Sequence, residues 1–452
     1  MTNVEEYIKQ LLRAAKSAGA DEAEAYFVRG ASTRVTVFGG EVESFTDSTV
    51  CGIGLRVLVG GKQGQSYSEA FDDAATQMMV RSALSSARFY DKEGPAPLCV
   101  RYPQIYPHVA LSKYTGDAVS QKVKTDLALE LYRAAREQSP LVRSVQHCAL
   151  VCGSGVTHLM GSAGADAAFA DGMCLIYIQP VVEEGGWTQT GFAFGAARDF
   201  RSLDPEAVAA QAVERALEKR GAKPVPTGAY PAILQPKAAY ALLAAFAPVF
   251  NAKRAQDGLS KLKDKEGETI AAGCVTLTDD PLRPDGYASA PFDGEGVPRS
   301  PAAVIEKGRL NTLLYHLESA EKAGRASTGH AARGSYKSPV DVSPSNFFIE
   351  PGEAGVHELQ KTMGDGLVVT DFEGLHAGLS SVSGDFSLPA RGFLVKDGEK
   401  AHAVEQVVIS GNFFDFLKDV AAVGDDLEWG MPSGACFGSP SLLIGRMQVA
   451  GA

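Results

Sequence analysis

The segment STRVTVFGGEVESF, residues 32–45, decides the fold class of the N-terminal part of the chain. On both sides of Gly39-Gly40, β-branched and apolar residues alternate with polar ones, as in two half-buried strands joined by a tight turn. Segments 23–28 and 50–59 also have strand character, and a second glycine pair follows at 60–61. The pattern predicts an antiparallel meander with glycine turns.

Helical patterns lie on both sides of this predicted meander. After Asn3, a candidate helix cap, apolar residues recur at helical spacing as far as Ala15, and a second helical pattern covers about 70–89. Helix, meander and helix together predict a first α+β domain over residues 1–112. Four prolines between residues 91 and 115 indicate a linker.

The next part of the chain predicts a middle α+β domain over residues 116–222. Its elements are bounded by a capped helix start, glycine turns and a glycine helix end. They are a helix at 118–138, a hairpin of strands 143–152 and 155–160 around Gly153-Ser154-Gly155, a strand at 171–180 and a helix from Asp204 to Gly221.

The remaining residues, 229–452, follow a proline-rich boundary at 223–228 and predict a β-rich C-terminal domain. One long helical pattern covers about 236–250, and most of the rest consists of short strand patterns separated by glycine turns. The whole chain is therefore expected to be α+β, with two N-terminal units of helices and antiparallel sheet before a β-rich domain.

Charge and hydropathy exclude two classes of partner. The 54 acidic and 43 basic side chains give a net charge of −11, which disfavours binding to a phosphate backbone. No apolar run approaches the roughly 20 residues that span a bilayer, and the acidic N-terminus lacks the features of a signal peptide. We therefore expect a cytoplasmic protein that binds neither nucleic acid nor membrane.

Seven cysteines are scattered through the chain, an odd number that does not resemble a disulfide framework. In a reducing cytoplasm they are expected to be buried free thiols. They are Cys51, Cys99, Cys148, Cys152, Cys174, Cys274 and Cys436.

Several segments, taken in order, resemble the TldD/PmbA family of metallopeptidases, also known as modulators of DNA gyrase. The resemblance covers most of the chain. In the N-terminal domain it rests on GADEAE (19–24) and GIGLRV (52–57). In the C-terminal domain it rests on FDGEG (292–296), IEKGRL (305–310), STGH (327–330), SVSGDFS (381–387), ISGN (409–412) and GSPS (438–441).

The resemblance implies a cytoplasmic assembly of two related subunits that degrades or trims unfolded peptides. In the zinc-bearing subunit, TldD, an H-E-x-x-x-H motif on the long helix of the third domain binds the metal together with a cysteine near the C-terminus. Alignment on the preceding Leu-Leu places Ala244, Ala245 and Val249 at the motif positions. Methyl groups cannot bind zinc, and residues 229–315 contain no histidine. We therefore expect no zinc in this chain and zinc only in a partner subunit.

The helix has a simpler explanation as part of the core. Pro248 is expected to kink or end it, because proline lacks a backbone donor. Cys436 lies near the place of the family's cysteine ligand and is a weak metal candidate, with a buried structural thiol as the favoured interpretation. The residues of the apolar stripe are Leu242, Leu243, Phe246, Val249 and Phe250.

Five polar residues in or near the family-like segments are candidates for contacts with a substrate or a partner. The alternative for each is a surface turn or a hydrogen-bonded structural role. They are Asp293, Glu295, His330, Asp385 and His376.

The sequence thus favours a non-catalytic or regulatory subunit of a TldD/TldE-type zinc metallopeptidase. It is expected to pair with a zinc-bearing relative as a heterodimer, and with itself as a homodimer when isolated. Edge strands of the β-rich domain are expected to hold unfolded or extended peptides by strand addition. The alternative is a self-sufficient peptidase of the same family with an unrecognised active site. Direct action on DNA gyrase conflicts with the acidic charge.

Overall fold

A computed structural model of the chain describes residues 4–89 and 97–451. The candidate cap Asn3 and part of the predicted linker, 91–96, lie outside these residues. Helices combined with antiparallel and mixed sheets confirm the expected α+β class. The chain forms two compact units: the first comprises the residues up to Leu217 with Ala290–Arg299 and His316–Asp341, and the second comprises the rest.

The helices of the N-terminal half begin and end near their predicted limits. None of the helices in the described part of the chain combines the length and apolar content that crossing a bilayer requires. The α-helices are α1 (Val4–Ser17), α2 (Asp73–Ala87), α3 (Gln121–Gln138), α4 (Pro205–Leu217), α5 (Pro236–Phe246), α6 (Ala252–Gln256), α7 (Leu317–Lys322), α8 (Val356–Met363) and α9 (Phe413–Lys418). Within residues 4–89 and 97–451, three 3₁₀ turns cover Gly116–Ala118, Phe200–Ser202 and Ala247–Phe250.

The strands are long in the N-terminal half and mostly short beyond it. The first seven are β1 (Glu22–Phe38), β2 (Glu41–Val59), β3 (Lys62–Ser68), β4 (Val142–Gly161), β5 (Asp166–Glu184), β6 (Trp187–Thr190) and β7 (Ala193–Ala197). The others are β8 (Gly228–Leu234), β9 (Leu277–Asp279), β10 (Ala302–Glu306), β11 (Arg309–Leu310), β12 (Ala331–Ala332), β13 (Asp341–Val342), β14 (Asn346–Ile349), β15 (Gly366–Phe372), β16 (Asp385–Lys396), β17 (Glu399–Asn412), β18 (Val420–Val423), β19 (Glu428–Trp429), β20 (Cys436–Ser439) and β21 (Leu442–Ala450).

One antiparallel sheet runs through the first unit in the order β3-β2-β1-β4-β5-β6, with β7 beside β5. Gly39-Gly40, with φ of +62° and +89°, and Gly60-Gly61 form the turns of the predicted meander, which confirms both. Glycine adopts these left-handed angles without the steric cost that other residues carry. The predicted division of β1 into 23–28 and 32–38, and of β2 into 41–45 and 50–59, is wrong because each is one continuous strand.

The hairpin predicted around Gly153-Ser154-Gly155 is also wrong, because Val142–Gly161 forms the single strand β4. Gly153 pairs with Ser32 of β1 and Met173 of β5, so it lies inside the sheet. A glycine with a strand on either side keeps its ladder hydrogen bonds and interrupts only the side-chain pattern. The strand predicted at 171–180 is longer, Asp166–Glu184.

Two groups of helices pack on this sheet and form separate cores. α1 and α2 pack against β1, β2 and β3, where Ile8, Leu11 and Leu55 are fully buried. α3 and α4 pack against β4 and β5, where Leu131 and Ile176 are buried. Full burial of one such side chain contributes about 1.5–3 kcal/mol before the loss of conformational entropy is counted.

The second unit is built on two six-stranded sheets. The first has the order β17-β16-β15-β8-β21-β18 with an additional β17–β21 pairing, and the second has the order β11-β10-β9-β14-β20-β19. α5 packs against β15 of the first sheet and against β19 and β20 of the second, so it lies between them. The helix ends at Phe246, and the Ala247–Phe250 turn carries the chain past Pro248, which confirms the predicted ending.

Two cysteines of the first unit depart from the prediction of free thiols. Cys152 and Cys174 form a disulfide between β4 and β5, so that prediction is wrong for them. The register of the two strands places these residues directly opposite each other, which cysteine spacing alone does not reveal. Cys51 and Cys274 are free but exposed, which corrects the expectation of burial for both.

Candidate functional site

α5 presents its predicted apolar stripe to the core of the second unit. The ring of Phe246 stacks on Phe413 with a centroid distance of 4.5 Å and meets Phe386 edge-on at 6.2 Å. Aromatic pairs in such arrangements contribute about 0.5–1.5 kcal/mol beyond their buried area. The stripe residues Leu242, Leu243, Phe246, Val249 and Phe250 are all buried, which confirms the core interpretation.

The positions at which the resemblance places a zinc motif carry aliphatic side chains. Ala244 and Ala245 are half-buried on α5, and Val249 is 0% exposed in the following 3₁₀ turn. These methyl groups offer no lone pair to a metal and no site that could accept a proton from water. This part of the helix supplies packing and no catalytic group.

Cys436 lies on β20, which packs against α5, and it is fully buried. Its thiol donates to the carbonyl oxygen of Gly430 at 3.4 Å. Burial raises the pKa of Cys436 to about 12, so the group stays a neutral thiol near pH 7. Zinc binds the thiolate, and these surroundings disfavour that form.

Asp385 and His376 belong to the second unit and are both exposed. The Asp385 carboxylate accepts a hydrogen bond from Asn412 at 2.8 Å. This bond and a second one from Ser383 lower the pKa of Asp385 below its usual value. His376 lies in a turn of the 374–377 region. The two residues therefore occupy surface positions.

Asp293, Glu295 and His330 belong to the first unit, where the fold brings them close together and buries all three. One Asp293 oxygen accepts hydrogen bonds from the backbone N–H groups of Glu295 and Val297, both at 2.9 Å, and so holds a tight turn. The other oxygen accepts from Ala331, next to His330, at 2.9 Å. The His330 ring lies 2.8 Å from the Thr328 hydroxyl. These contacts organise two loops around one carboxylate.

Glu295 projects from this turn towards Arg56 and Arg333 of the same unit. Its Oε2 accepts from the backbone of Leu317 at 2.8 Å, and its Oε1 lies 3.9 Å from Arg56 Nη2. Burial raises the pKa of Glu295, and the nearby Asp293 charge adds to the effect, while Arg56 opposes it. The protonated form of this carboxyl is therefore favoured over a wider pH range than in water.

A buried ion pair lies beside Glu295. Oε2 of Glu24, a residue of β1 that is 0% exposed, accepts from Arg333 Nη2 at 2.7 Å and from Arg56 Nε at 3.2 Å. Burial alone would raise the pKa of Glu24, but the two guanidinium charges outweigh burial and lower it. We call Glu24, Arg56, Glu295 and Arg333 the arginine–glutamate cluster.

Sequence reasoning did not select Glu24, Arg56 or Arg333. The signal for Glu24 was present, because it lies between Ala23 and Ala25 in a strand pattern. A charged side chain inside an apolar strand is rarely buried without a partner. The partners could not be named, because Glu295 and Arg333 are more than 200 positions away along the chain.

The raised pKa of Glu295 gives a test by pH. A carboxyl whose pKa is higher in the folded state binds more protons when folded, so it reduces stability as pH rises from its unfolded pKa through its folded pKa. The variant Glu295→Gln keeps an acceptor for Leu317 and cannot ionise. We expect its free energy of unfolding to increase relative to the unmodified chain between pH 5 and about 9. Urea titrations at several pH values measure this difference, and a difference independent of pH would contradict the assignment.

Comparison with known proteins identifies relatives that share this architecture. Profiles for domain 1, the central domain and the C-terminal domain of the PmbA/TldA metallopeptidases match residues 23–87, 114–220 and 227–451. A Thermotoga maritima structure, named a modulator of a DNA gyrase, is 30% identical, has a TM-score of 0.90 and covers 99% of this chain and 100% of its own. The chain belongs to the PmbA/TldD family.

Two further members of the PmbA/TldD family match nearly the whole chain at lower sequence identity. The protein named metalloprotease PmbA from Escherichia coli O157:H7 is 26% identical over 449 residues, which span 99% of this chain and 96% of the relative. TldE from Thermococcus kodakarensis, at 23% identity, a TM-score of 0.86 and coverage of 98% and 100%, shares the fold. The PmbA relatives from Escherichia coli O157:H7 and Haemophilus influenzae carry the name metalloprotease.

The donor set of this PmbA/TldD member does not fit the zinc ion that the family implies. Within residues 4–89 and 97–451, no three histidine, cysteine or carboxylate side chains come together as metal ligands. The residues around α5 explain why zinc does not fit. The motif positions are aliphatic, and the neutral Cys436 thiol donates a hydrogen bond to a backbone carbonyl oxygen. We derive no catalytic step through a metal in this chain.

Proposed function

We propose that this chain is a non-catalytic or regulatory subunit of a PmbA/TldD-type metallopeptidase that handles unfolded or extended peptides in the cytoplasm. It pairs with a zinc-bearing relative, and it self-associates when that relative is absent. The observation that carries the proposal is that the motif positions hold the aliphatic side chains of Ala244, Ala245 and Val249. A hydrolytic zinc centre needs nitrogen, sulfur or oxygen ligands at one point, and this helix supplies none there.

The family names support the peptidase side of the proposal. Relatives that match nearly the whole chain are named metalloproteases. A subunit that keeps the architecture without a metal site can still cover the active site of its partner and hold the peptide substrate. Strand addition at a sheet edge suits a peptidase for unfolded chains, because it binds backbone groups and tolerates many side chains.

Zinc content and peptide cleavage test the proposal directly. The purified chain is expected to contain no stoichiometric zinc and to leave an unfolded peptide intact. Addition of an H-E-x-x-x-H relative from the same organism should produce cleavage that a chelator abolishes. The chain should also co-purify with that relative in a fixed ratio.

The variant Cys436→Ser is a matched control, because serine is nearly the same size and is a poor zinc ligand. Metal content and cleavage by the mixture should not change. Stoichiometric zinc in the chain alone, with chelator-sensitive cleavage that Cys436→Ser removes, would overturn the proposal and support a self-sufficient peptidase.

A further inference from the structure

A cavity of about 610 Å³ lies within the first unit, beside the arginine–glutamate cluster. β2, β3, α2 and residues 333–338 form its walls. Arg56 and Arg333 are among its lining residues, with side chains only 8% and 2% exposed. Cavities of this size are typical of small-molecule and cofactor sites.

The two arginines have more donors than their described partners use. Both guanidinium groups donate through Nη2 to Oε2 of Glu24. Arg56 also donates through Nε to this oxygen and through Nη2 to the carbonyl oxygen of Leu98. Arg333 Nε donates to the carbonyl of Gly294 at 2.8 Å. Among the described residues, none accepts a hydrogen bond from Nη1 of either arginine. Each guanidinium has five N–H donors, so both keep capacity for another acceptor.

The charge of the cluster points to the kind of acceptor. Two buried guanidinium groups share one ionised carboxylate, Glu24, whose Oε1 is buried and lacks a hydrogen-bond partner among the described residues. Burial favours the neutral form of Glu295 by raising its pKa. The cluster therefore has a surplus of about one positive charge, which matches one monoanion.

The other walls suit an extended chain. Tyr67, on the edge strand β3, meets Tyr336 edge-to-face with a centroid distance of 6.2 Å. Lys337 stacks on both rings and pairs with Glu69 at 2.7 Å. Aromatic faces beside an edge strand provide apolar contact together with backbone donors and acceptors.

We propose that this cavity binds the C-terminal carboxylate of a peptide, with Nη1 of Arg56 and Nη1 of Arg333 as its donors. The proposal rests on the peptide-handling function proposed above and names the part of the peptide that the chain recognises. A planar carboxylate matches the fork of a guanidinium group, and such charge-assisted hydrogen bonds are about twice as strong as neutral ones.

Calorimetry with a matched peptide pair tests this site on the full chain without zinc or partner. The probes are one mixed-sequence hexapeptide with a free C-terminus and the same hexapeptide as its C-terminal amide. The free acid is expected to bind at least about tenfold more tightly, because the amide cannot form the charge-assisted hydrogen bonds that the carboxylate accepts. Equal affinities would overturn the proposal, as would tighter binding of inorganic phosphate than of the free acid.

Two variants and one control variant locate the site. Arg333→Lys keeps the charge but loses the forked donors, so it should reduce the acid-to-amide ratio, while Arg81→Lys on the exposed face of α2 should not. Tyr67→Ala changes a side chain that is 55% exposed and therefore leaves the core intact. Tyr67→Ala should weaken the binding of both peptides several-fold. Unchanged binding by this variant would overturn the proposal, even if Arg333→Lys fails to fold.

The outcome separates this inference from the proposed function. Loss of the acid-to-amide difference, with zinc-dependent cleavage by the mixture intact, would overturn only the carboxylate site. Failure of the mixture to cleave peptides, with the difference intact, would overturn only the subunit role.

Discussion

Replacement of Glu24 by glutamine is expected to lower the free energy of unfolding of the first unit by about 3–5 kcal/mol. The change leaves the Arg56 and Arg333 guanidinium groups buried without their shared negative charge. Removal of one partner from a buried ion pair is costly, because the remaining charge keeps its desolvation penalty and loses its compensation. Urea titration measures the free energy of unfolding of both chains. Hydrogen exchange of the β1 amides, measured separately, shows whether the loss is in the first unit.

The Glu24→Gln effect should depend on pH with a defined sign. The pKa of Glu24 is lowered in the folded state, so its contribution is present above its unfolded pKa and is lost as pH falls through its folded pKa. The free energy of unfolding of the unmodified chain minus that of Glu24→Gln should therefore fall as pH falls, whereas the same quantity for Glu295→Gln should rise as pH falls. The two variants together distinguish an ionised from a protonated carboxyl in one cluster.

Glu22→Gln provides the matched control on the same strand. Glu22 pairs with Arg101 at 3.2 Å, and the side chains are 24% and 59% exposed. Partly exposed pairs of this kind contribute about 0–1 kcal/mol, so this variant should stay within that range. An equally small loss for Glu24→Gln would contradict the role of the cluster as a buried ion pair.

The sequence predicted the turns of the N-terminal sheet better than the continuity of its strands. Gly39-Gly40 and Gly60-Gly61 have left-handed φ angles, and these angles are the reason that glycine pairs indicate turns. Residues 46–50 of β2 are exposed, so no core imposes an alternating pattern there, and the strand looked interrupted. At Gly153, a glycine inside a sheet looked like a glycine in a turn, because only the neighbouring strands distinguish the two.

The candidate residues show a similar limit. Segment resemblance selected Asp293, Glu295 and His330, which the fold brings close together, and also Asp385 and His376, which lie on the surface. No periodicity in the sequence could place Arg333 beside Glu24, because these residues meet only through the tertiary fold. The disulfide between Cys152 and Cys174 depends in the same way on the register of β4 and β5.

The core role of α5 gives the second large expected effect. Phe246→Ala removes a fully buried ring that stacks on Phe413 and contacts Phe386, leaving a cavity between the two sheets of the second unit. Substitutions of this kind cost about 3–5 kcal/mol, because the lost transfer energy adds to incomplete closure of the cavity. Urea titration measures the loss in free energy of unfolding. Hydrogen exchange of the β15 and β20 amides, measured separately, shows whether the loss is in the second unit.

The neighbouring position supplies the control and connects packing with function. Ala245 is only half-buried, so Ala245→Ser should cost under about 1 kcal/mol, mainly through helix propensity. A large loss for Phe246→Ala with a small loss for Ala245→Ser would separate the side of α5 that holds the fold from the position where the family motif places its glutamate. The helix could then keep its place in the core whether or not the motif positions carry metal ligands. Comparable losses at both positions would contradict this separation.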